Sequence, residues 1–165
     1  MRVYLPLTVP RLAELHRTGA VAPAPVTAHA VTPALRAWDP GAGDEELEYE
    51  ALGRAAHAAL AQLVADPAAP PRRVVLAADV PDGVVRPGSP ADPEAVSEVV
   101  LDAVVPLADI AAVHVDADDA ADVVAAAVAV LAEPGRGGDA PRSAVDDAED
   151  HELLWYGVQE IDTLL

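Results

Sequence analysis

Apolar residues along this chain follow two different periods, one typical of strands and one typical of helices. Short apolar runs bounded by turn residues predict strands over residues 2–7, 26–31, 73–79, 84–85 and 111–116, with one more inside 96–105. Apolar residues spaced three and four apart predict helices over residues 9–18, 33–38, 45–65 and 119–132. The two kinds of element do not alternate strictly, which argues against a doubly wound sheet.

The helix predictions also depend on residues that start and stop helices. Thr32 followed by Pro33 is typical of an N-cap and a first helical residue. We expect Asp44 to cap the longest helix and Asp118 to cap the helix that ends near residue 132. The apolar stripe predicted for the longest helix consists of Leu52, Ala56, Ala59, Leu60 and Leu63.

The last third of the chain contains a glycine-rich segment and a terminal apolar run. Glycine and proline are concentrated in residues 133–142, which predicts a flexible loop. Residues 153–158 favour a strand followed by a short helix, although the same residues also fit a helix. The whole pattern predicts one α+β or α/β domain over residues 1–165. We expect a mixed β-sheet of about 4–6 strands with helices packed on it.

Composition narrows the chemistry that this domain can perform. The chain has 165 residues, 52% of them hydrophobic, but only two Trp, three Tyr and no Phe, so the core must consist of Ala, Val and Leu. It contains no Cys, and all ten basic residues are Arg. Thiol nucleophiles, structural disulfides and lysine Schiff bases are therefore excluded. No cofactor-binding motif is present, and we expect no cofactor.

Charge and hydropathy restrict the partners. The formal net charge is −18, which opposes binding to nucleic acid and to an anionic membrane surface. The first residues lack the pattern of a signal peptide, and the Ala- and Val-rich stretch over residues 120–132 is too short to span a bilayer. We therefore expect a cytoplasmic protein with no nucleic-acid or membrane partner.

Four segments carry a likeness to a known family. They are residues 1–8 (MRVYLPLT), 73–81 (RVVLAADVP), 105–116 (VPLADIAAVHVD) and 148–156 (AEDHELLWY). Together they resemble an uncharacterised family of small acidic proteins from high-G+C bacteria. The resemblance extends along nearly the whole chain and implies a cytoplasmic protein of unknown function, without catalytic residues to carry over.

Carboxylates follow two predicted strands, where α/β sheets often gather functional groups. Asp79 ends one strand, and Asp116 ends another and is followed by Asp118. Asp116 and Asp118 faintly resemble the nucleophile motif of haloacid-dehalogenase-type phosphatases, which implies phosphoryl attack and magnesium binding. His151, inside an acidic run over residues 146–152, adds a nitrogen ligand. These four residues are the candidate metal ligands, although a strand end and a helix cap explain Asp116 and Asp118 more simply.

Trp155 and Tyr156 are adjacent in a chain that is poor in aromatic residues. Neighbouring strand residues point to opposite faces, so one of them can pack in the core while the other reaches a protein partner. Core packing is the simpler interpretation of the pair. His114 alternates with Val113 and Val115 and must point away from them, but a single strand histidine is most often structural.

No catalytic motif outweighs its structural explanation. We therefore expect a non-enzymatic interaction or regulatory protein with an unidentified protein partner. The alternative is a metal-dependent, phosphatase-like hydrolase that uses Asp79, Asp116 and Asp118.

Overall fold

The computed structural model describes residues 1–88, 95–133 and 139–165. Within them the strands are β1 (Arg2–Leu7), β2 (Ala20–Val21), β3 (Val26–His29), β4 (Val74–Asp79), β5 (Val85–Pro87), β6 (Glu98–Leu101), β7 (Val105–Pro106), β8 (Ile110–Asp116) and β9 (Leu153–Tyr156). The α-helices are α1 (Val9–Thr18), α2 (Pro33–Trp38), α3 (Asp44–Ala65), α4 (Ala121–Ala132) and α5 (Asp139–Glu149). Short 3-10 helices cover Asp82–Val84, Leu107–Asp109, Asp118–Ala120 and Val158–Thr163.

Seven strands form one sheet in the order β5-β6-β3-β1-β4-β8-β9, and β2 and β7 form a separate two-stranded ribbon. Every pairing is antiparallel. The α+β class is confirmed, but the prediction of a mixed sheet of about 4–6 strands was wrong in both number and direction. The periodicity of a strand shows which residues share a face, and it does not contain the direction of the neighbouring strand.

The two faces of the sheet are covered differently. On one face, Leu5 and Leu76 pack with Leu12 of α1 and with Ile161 near the C-terminus. On the other face, α3 packs its small residues against the sheet. Residues in that second layer include Tyr4, Leu47, Ala51, Ala55, Val75, Ala77 and Ala112. Alanines therefore fill much of the contact between α3 and this face of the sheet.

Helix α3 begins one residue earlier than predicted. Gly43 is its N-cap, and the Glu46 carboxylate accepts a hydrogen bond from the Gly43 backbone N–H at 2.7 Å. Asp44 is therefore the first helical residue rather than the cap. The buried stripe also differs, because Leu52 is only half-buried and the N-terminal part packs through Leu47, Ala51 and Ala55.

The second half of the chain departs from prediction in two further places. Asp118 begins a 3-10 helix and makes no side-chain cap for α4. Residues 139–142 of the predicted loop belong to α5, residue 133 ends α4, and residues 134–138 lie outside the described residues. The C-terminal strand is confirmed, and a 3-10 helix follows it. Among the described helices, none combines the length and hydropathy that crossing a membrane requires.

Candidate functional site

A cleft of about 820 Å³ lies on the α3 side of the sheet and is lined by many polar and charged side chains. It is bordered by α3, by residues from β3, β6, β8 and β9, and by the segment that joins α5 to β9. Four of the chain's five histidines line it, namely His29, His57, His114 and His151. These histidines are far apart in sequence, and no local pattern indicated that they lie in one cleft.

The pairing of β8 with β9 places an imidazole beside an indole. His114 lies directly opposite Trp155, and Val113 lies opposite Tyr156. Opposite residues in an antiparallel pair point to the same face, with Cβ atoms about 4.5–5.5 Å apart. His114 and Trp155 therefore share the cleft face, whereas Tyr156 packs half-buried against the core on the other face.

Trp155 is 63% exposed, so its interpretation as a core residue was wrong. The expectation that Trp155 and Tyr156 point to opposite faces is confirmed by the register. Only Tyr156 contributes to the core, and Trp155 remains the candidate for partner binding. The alternation of side chains along β9 was the sequence signal that distinguished the core residue Tyr156 from the exposed Trp155.

His29 is a buried, uncharged histidine. Its Nδ1 lies 2.9 Å from the Ser97 hydroxyl, and burial, followed by the nearby Arg54 and His57, lowers the pKa of His29 to about 4. A Ser–His contact can be a nucleophile and its base. Here the imidazole is too weakly basic, and no carboxylate in the described part of the chain bonds its other nitrogen. The pair satisfies two buried polar groups instead.

Asp116 is fully buried and is held by Arg73. The Arg73 guanidinium donates to both carboxylate oxygens at 2.7–3.2 Å, and the Arg73 backbone N–H donates to Oδ2 at 2.7 Å. The same guanidinium donates to the His151 carbonyl at 2.9 Å. Because these donors occupy its oxygens, Asp116 joins β4, β8 and the start of β9 rather than offering a free ligand.

The other candidate metal ligands do not converge on Asp116. Asp79 pairs with Arg2 at the opposite end of β4, about 20 Å away at 3.3 Å per residue. Asp118 is exposed and lies 3.6 Å from Arg72. His151 borders the cleft, and its imidazole makes no hydrogen bond to the described residues. No group of three His, Asp or Glu side chains within residues 1–88, 95–133 and 139–165 could hold a metal ion.

Helix α3 contributes one wall of the cleft through Tyr49, Gly53 and His57, which recur at four-residue spacing. The His57 Nδ1 lies 2.5 Å from a Glu149 carboxylate oxygen, which connects α3 to the end of α5. Apart from the adjoining backbone of α3, a Cβ atom added at Gly53 would meet no atom within 4 Å. This mid-helix glycine is therefore not required by close packing, and it leaves space above the wall.

The strand at the rim of the cleft is also the last strand of the sheet. Leu154 is 44% exposed and points to the face opposite Trp155. In the part of the chain that the structure describes, no strand pairs with the outer edge of β9. Acidic residues lead into it, namely Asp146, Asp147, Glu149, Asp150 and Glu152.

The chain belongs to the family of unknown function DUF6912, whose sequence model matches residues 1–165. No curated protein and no solved structure matches the chain. The family membership agrees with the resemblance inferred from the four segments, and it assigns no residue a role. The function must therefore be inferred from the surface of this chain.

Proposed function

We propose that this protein is a non-enzymatic interaction protein that binds an extended, basic segment of a partner along β9. The observation that carries the proposal is the exposure of Trp155 and Leu154 on the terminal strand of the sheet. Both are large apolar side chains on one strand edge with which no described strand pairs, and tryptophan is enriched among the residues that dominate binding energy.

The backbone of β9 supports an extended partner. A terminal strand presents N–H and C=O groups along its outer edge, and a peptide can pair with them as an additional strand. Side chains of β9 alternate between the two faces, so Trp155 and Leu154 would contact the partner from opposite sides of the sheet. Backbone pairing would supply affinity, and these two side chains would supply selectivity.

Charge favours a basic segment over an acidic one. The chain carries a net charge of −18, and five carboxylates lie within residues 146–152 before β9. Complementary charge accelerates encounter and excludes partners of the same sign. We therefore expect Lys or Arg residues on either side of the apolar positions of the partner segment.

The hydrolase alternative receives no geometric support. Asp79 and Asp116 lie at opposite ends of β4 and β8, and Arg73 already occupies the Asp116 carboxylate.

The proposal also includes a cytoplasmic location and a high-G+C bacterial source. The source is suggested by the basic residues, because all ten are arginine and none is lysine. Cell fractionation tests the compartment.

Selection of peptides from a random twelve-residue phage library tests the proposal. We expect the wild-type protein to select basic peptides that alternate apolar and polar residues, and Trp155→Ala to lose their binding. Trp38→Ala is the matched control, because Trp38 is 57% exposed and lies outside β9. Equal loss in both variants, or selection of acidic peptides, would contradict the proposal.

A further inference from the structure

We propose that the cleft beside Trp155 is a binding site for a small planar organic cation of the amidinium or guanidinium class. This site goes beyond the proposed function, because a free small molecule can occupy it without a partner protein. The residues that carry the inference are Trp155 and His114 on the sheet, Tyr49 on α3, and Glu152 before β9.

Two aromatic side chains border the cleft with their surfaces largely free. Tyr49 and Trp155 are each more than 60% exposed. The electron-rich face of an aromatic ring attracts a cation, most strongly in tryptophan. The protein already contains such a contact, because the Arg54 guanidinium lies 5.0 Å from the centre of the Trp38 ring. A planar cation can stack on Trp155 in the same way.

Two groups that can accept hydrogen bonds line the same cleft, His114 directly opposite Trp155 and Glu152 just before β9. Burial lowers the pKa of His114, with a smaller contribution from Arg2, so its imidazole is neutral at pH 7 and keeps one nitrogen as an acceptor. Neither the His114 imidazole nor the Glu152 carboxylate forms a hydrogen bond with the described residues. An amidinium has several N–H donors in one plane, which can be shared between a carboxylate and a second acceptor.

The charges that line the cleft oppose an anion. Four carboxylates border it, from Glu50, Glu98, Glu149 and Glu152. The two guanidinium groups on the same surface are already held by acidic residues: Arg54 by Glu50 at 2.7 Å and Arg73 by Asp116. An anionic ligand would have to displace one of these pairs, whereas the carboxylate of Glu152 favours a cation.

The α3 wall leaves room for the ring. Gly53 lies between Tyr49 and His57 on this wall, and apart from the adjoining backbone of α3 no atom lies within 4 Å of the position its Cβ would take. Glycine inside a helix lowers its stability relative to alanine. Close approach of a ligand to the helix backbone gives this costly residue a function.

Titration with three compounds of the same shape tests the inference. Benzamidine is a cation, benzamide is neutral and benzoate is an anion, and all three carry one phenyl ring. Calorimetry measures affinity, and the Trp155 indole N–H resonance in nitrogen-15 correlation spectra reports the site, with the Trp38 indole as an internal control. We expect benzamidine to bind about tenfold more tightly than benzamide and to shift the Trp155 resonance but not that of Trp38. We expect no binding of benzoate.

Two charge-neutralising variants separate a specific site from general attraction to an acidic protein. We expect Glu152→Gln to weaken benzamidine binding about fivefold or more, and Asp162→Asn, in the 3-10 helix that packs on the other face of the sheet, to leave it unchanged. His114→Phe should weaken binding while the circular dichroism spectrum is kept. Equal affinity for benzoate and benzamidine, equal effects of the two charge variants, or no shift of the Trp155 resonance at millimolar benzamidine would each overturn the inference.

Discussion

The two ends of β4 carry the same kind of ion pair in opposite surroundings. Arg73 and Asp116 form a bidentate pair whose side chains are 1% and 0% exposed. Arg2 and Asp79 form a bidentate pair at 2.7 and 2.8 Å, but their side chains are 40% and 59% exposed. In both pairs Nε and one terminal guanidinium nitrogen donate to the carboxylate, but in the buried pair the Arg73 backbone N–H also donates to it. We therefore expect burial and these additional hydrogen bonds to separate the effects of the two pairs on stability.

Burial changes what each pair does in the fold. The buried pair joins three segments, because Arg73 also reaches the His151 carbonyl just before β9. It therefore helps to position the strand that carries Trp155. Water already stabilises the separated charges of the exposed pair, so that pair adds little. The predictions below compare polar and aromatic groups inside the fold with those at its surface.

The largest effect is expected for Asp116→Asn. The amide cannot neutralise the buried Arg73 guanidinium, so we expect the free energy of unfolding to fall by about 3–5 kcal/mol. Urea denaturation at pH 7 measures the change. The double variant Arg73→Met, Asp116→Leu removes both charges and should recover most of the loss. A loss below about 1 kcal/mol in the single variant would contradict the prediction, because it would equal the small effect expected for the exposed pair.

A smaller effect is expected from the pH dependence of His29. Its pKa is lowered from 6.5 to about 4, so the unfolded state binds the proton first as the pH falls. The contribution is fully present above pH 6.5 and is lost progressively between pH 6.5 and pH 4. Between pH 7 and pH 5 we expect the wild type to lose about 2 kcal/mol more than His29→Gln, measured by urea denaturation. Parallel slopes for both proteins would show that His29 titrates normally.

Trp155→Ala is expected to change stability by less than about 1 kcal/mol, because most of the indole already contacts water. Leu60→Ala, a fully buried residue of α3, should cost about 2–5 kcal/mol under the same conditions. Thermal unfolding of the two variants provides the comparison. A loss of stability in Trp155→Ala similar to that in Leu60→Ala would assign Trp155 to the core and remove the basis of the partner surface.

The smallest effect is expected for Asp79→Asn, about 0.2–1 kcal/mol. The Arg2 guanidinium lowers the pKa of Asp79, first through their hydrogen bonds, so this small contribution is present at neutral pH and is lost as acid protonates the carboxylate. We also expect it to shrink in 1 M salt, where surface charges are screened. Denaturation at low and high salt tests this. The Asp116→Asn effect should change little with salt, and a similar salt dependence of both would contradict the distinction.

Local patterns predicted the elements well, and they predicted the site poorly. β1 and α2 have their predicted bounds, because a short apolar run, Thr32 and Pro33 act within a few residues of chain. The grouping of Asp79 with Asp116 assumed strands that run in the same direction. Since β4 and β8 are antiparallel, the residue that ends one strand lies beside the start of the other.

The cleft also shows that local patterns do not predict which distant segments become neighbours. His114 was correctly expected to point away from Val113 and Val115, and Trp155 away from Tyr156. Nothing in either segment indicates that β8 and β9 are neighbours, or that residue 114 lies opposite residue 155. His57 and Glu149 are likewise 92 positions apart and meet only because α3 and α5 pack together.

The sequence by itself determined where most strands and helices lie, the strong negative charge, the absence of thiol chemistry, and which residues share a face of each strand. Only the tertiary structure decided strand order, strand direction and register, and with them the pairing of Arg73 with Asp116 and of His114 with Trp155. The physical reason is that short-range patterns record burial along one element. Which elements become neighbours depends on which apolar surfaces, distant in sequence, can pack together while leaving the fewest buried polar groups without hydrogen bonds. This choice is made by the whole chain and not by one element.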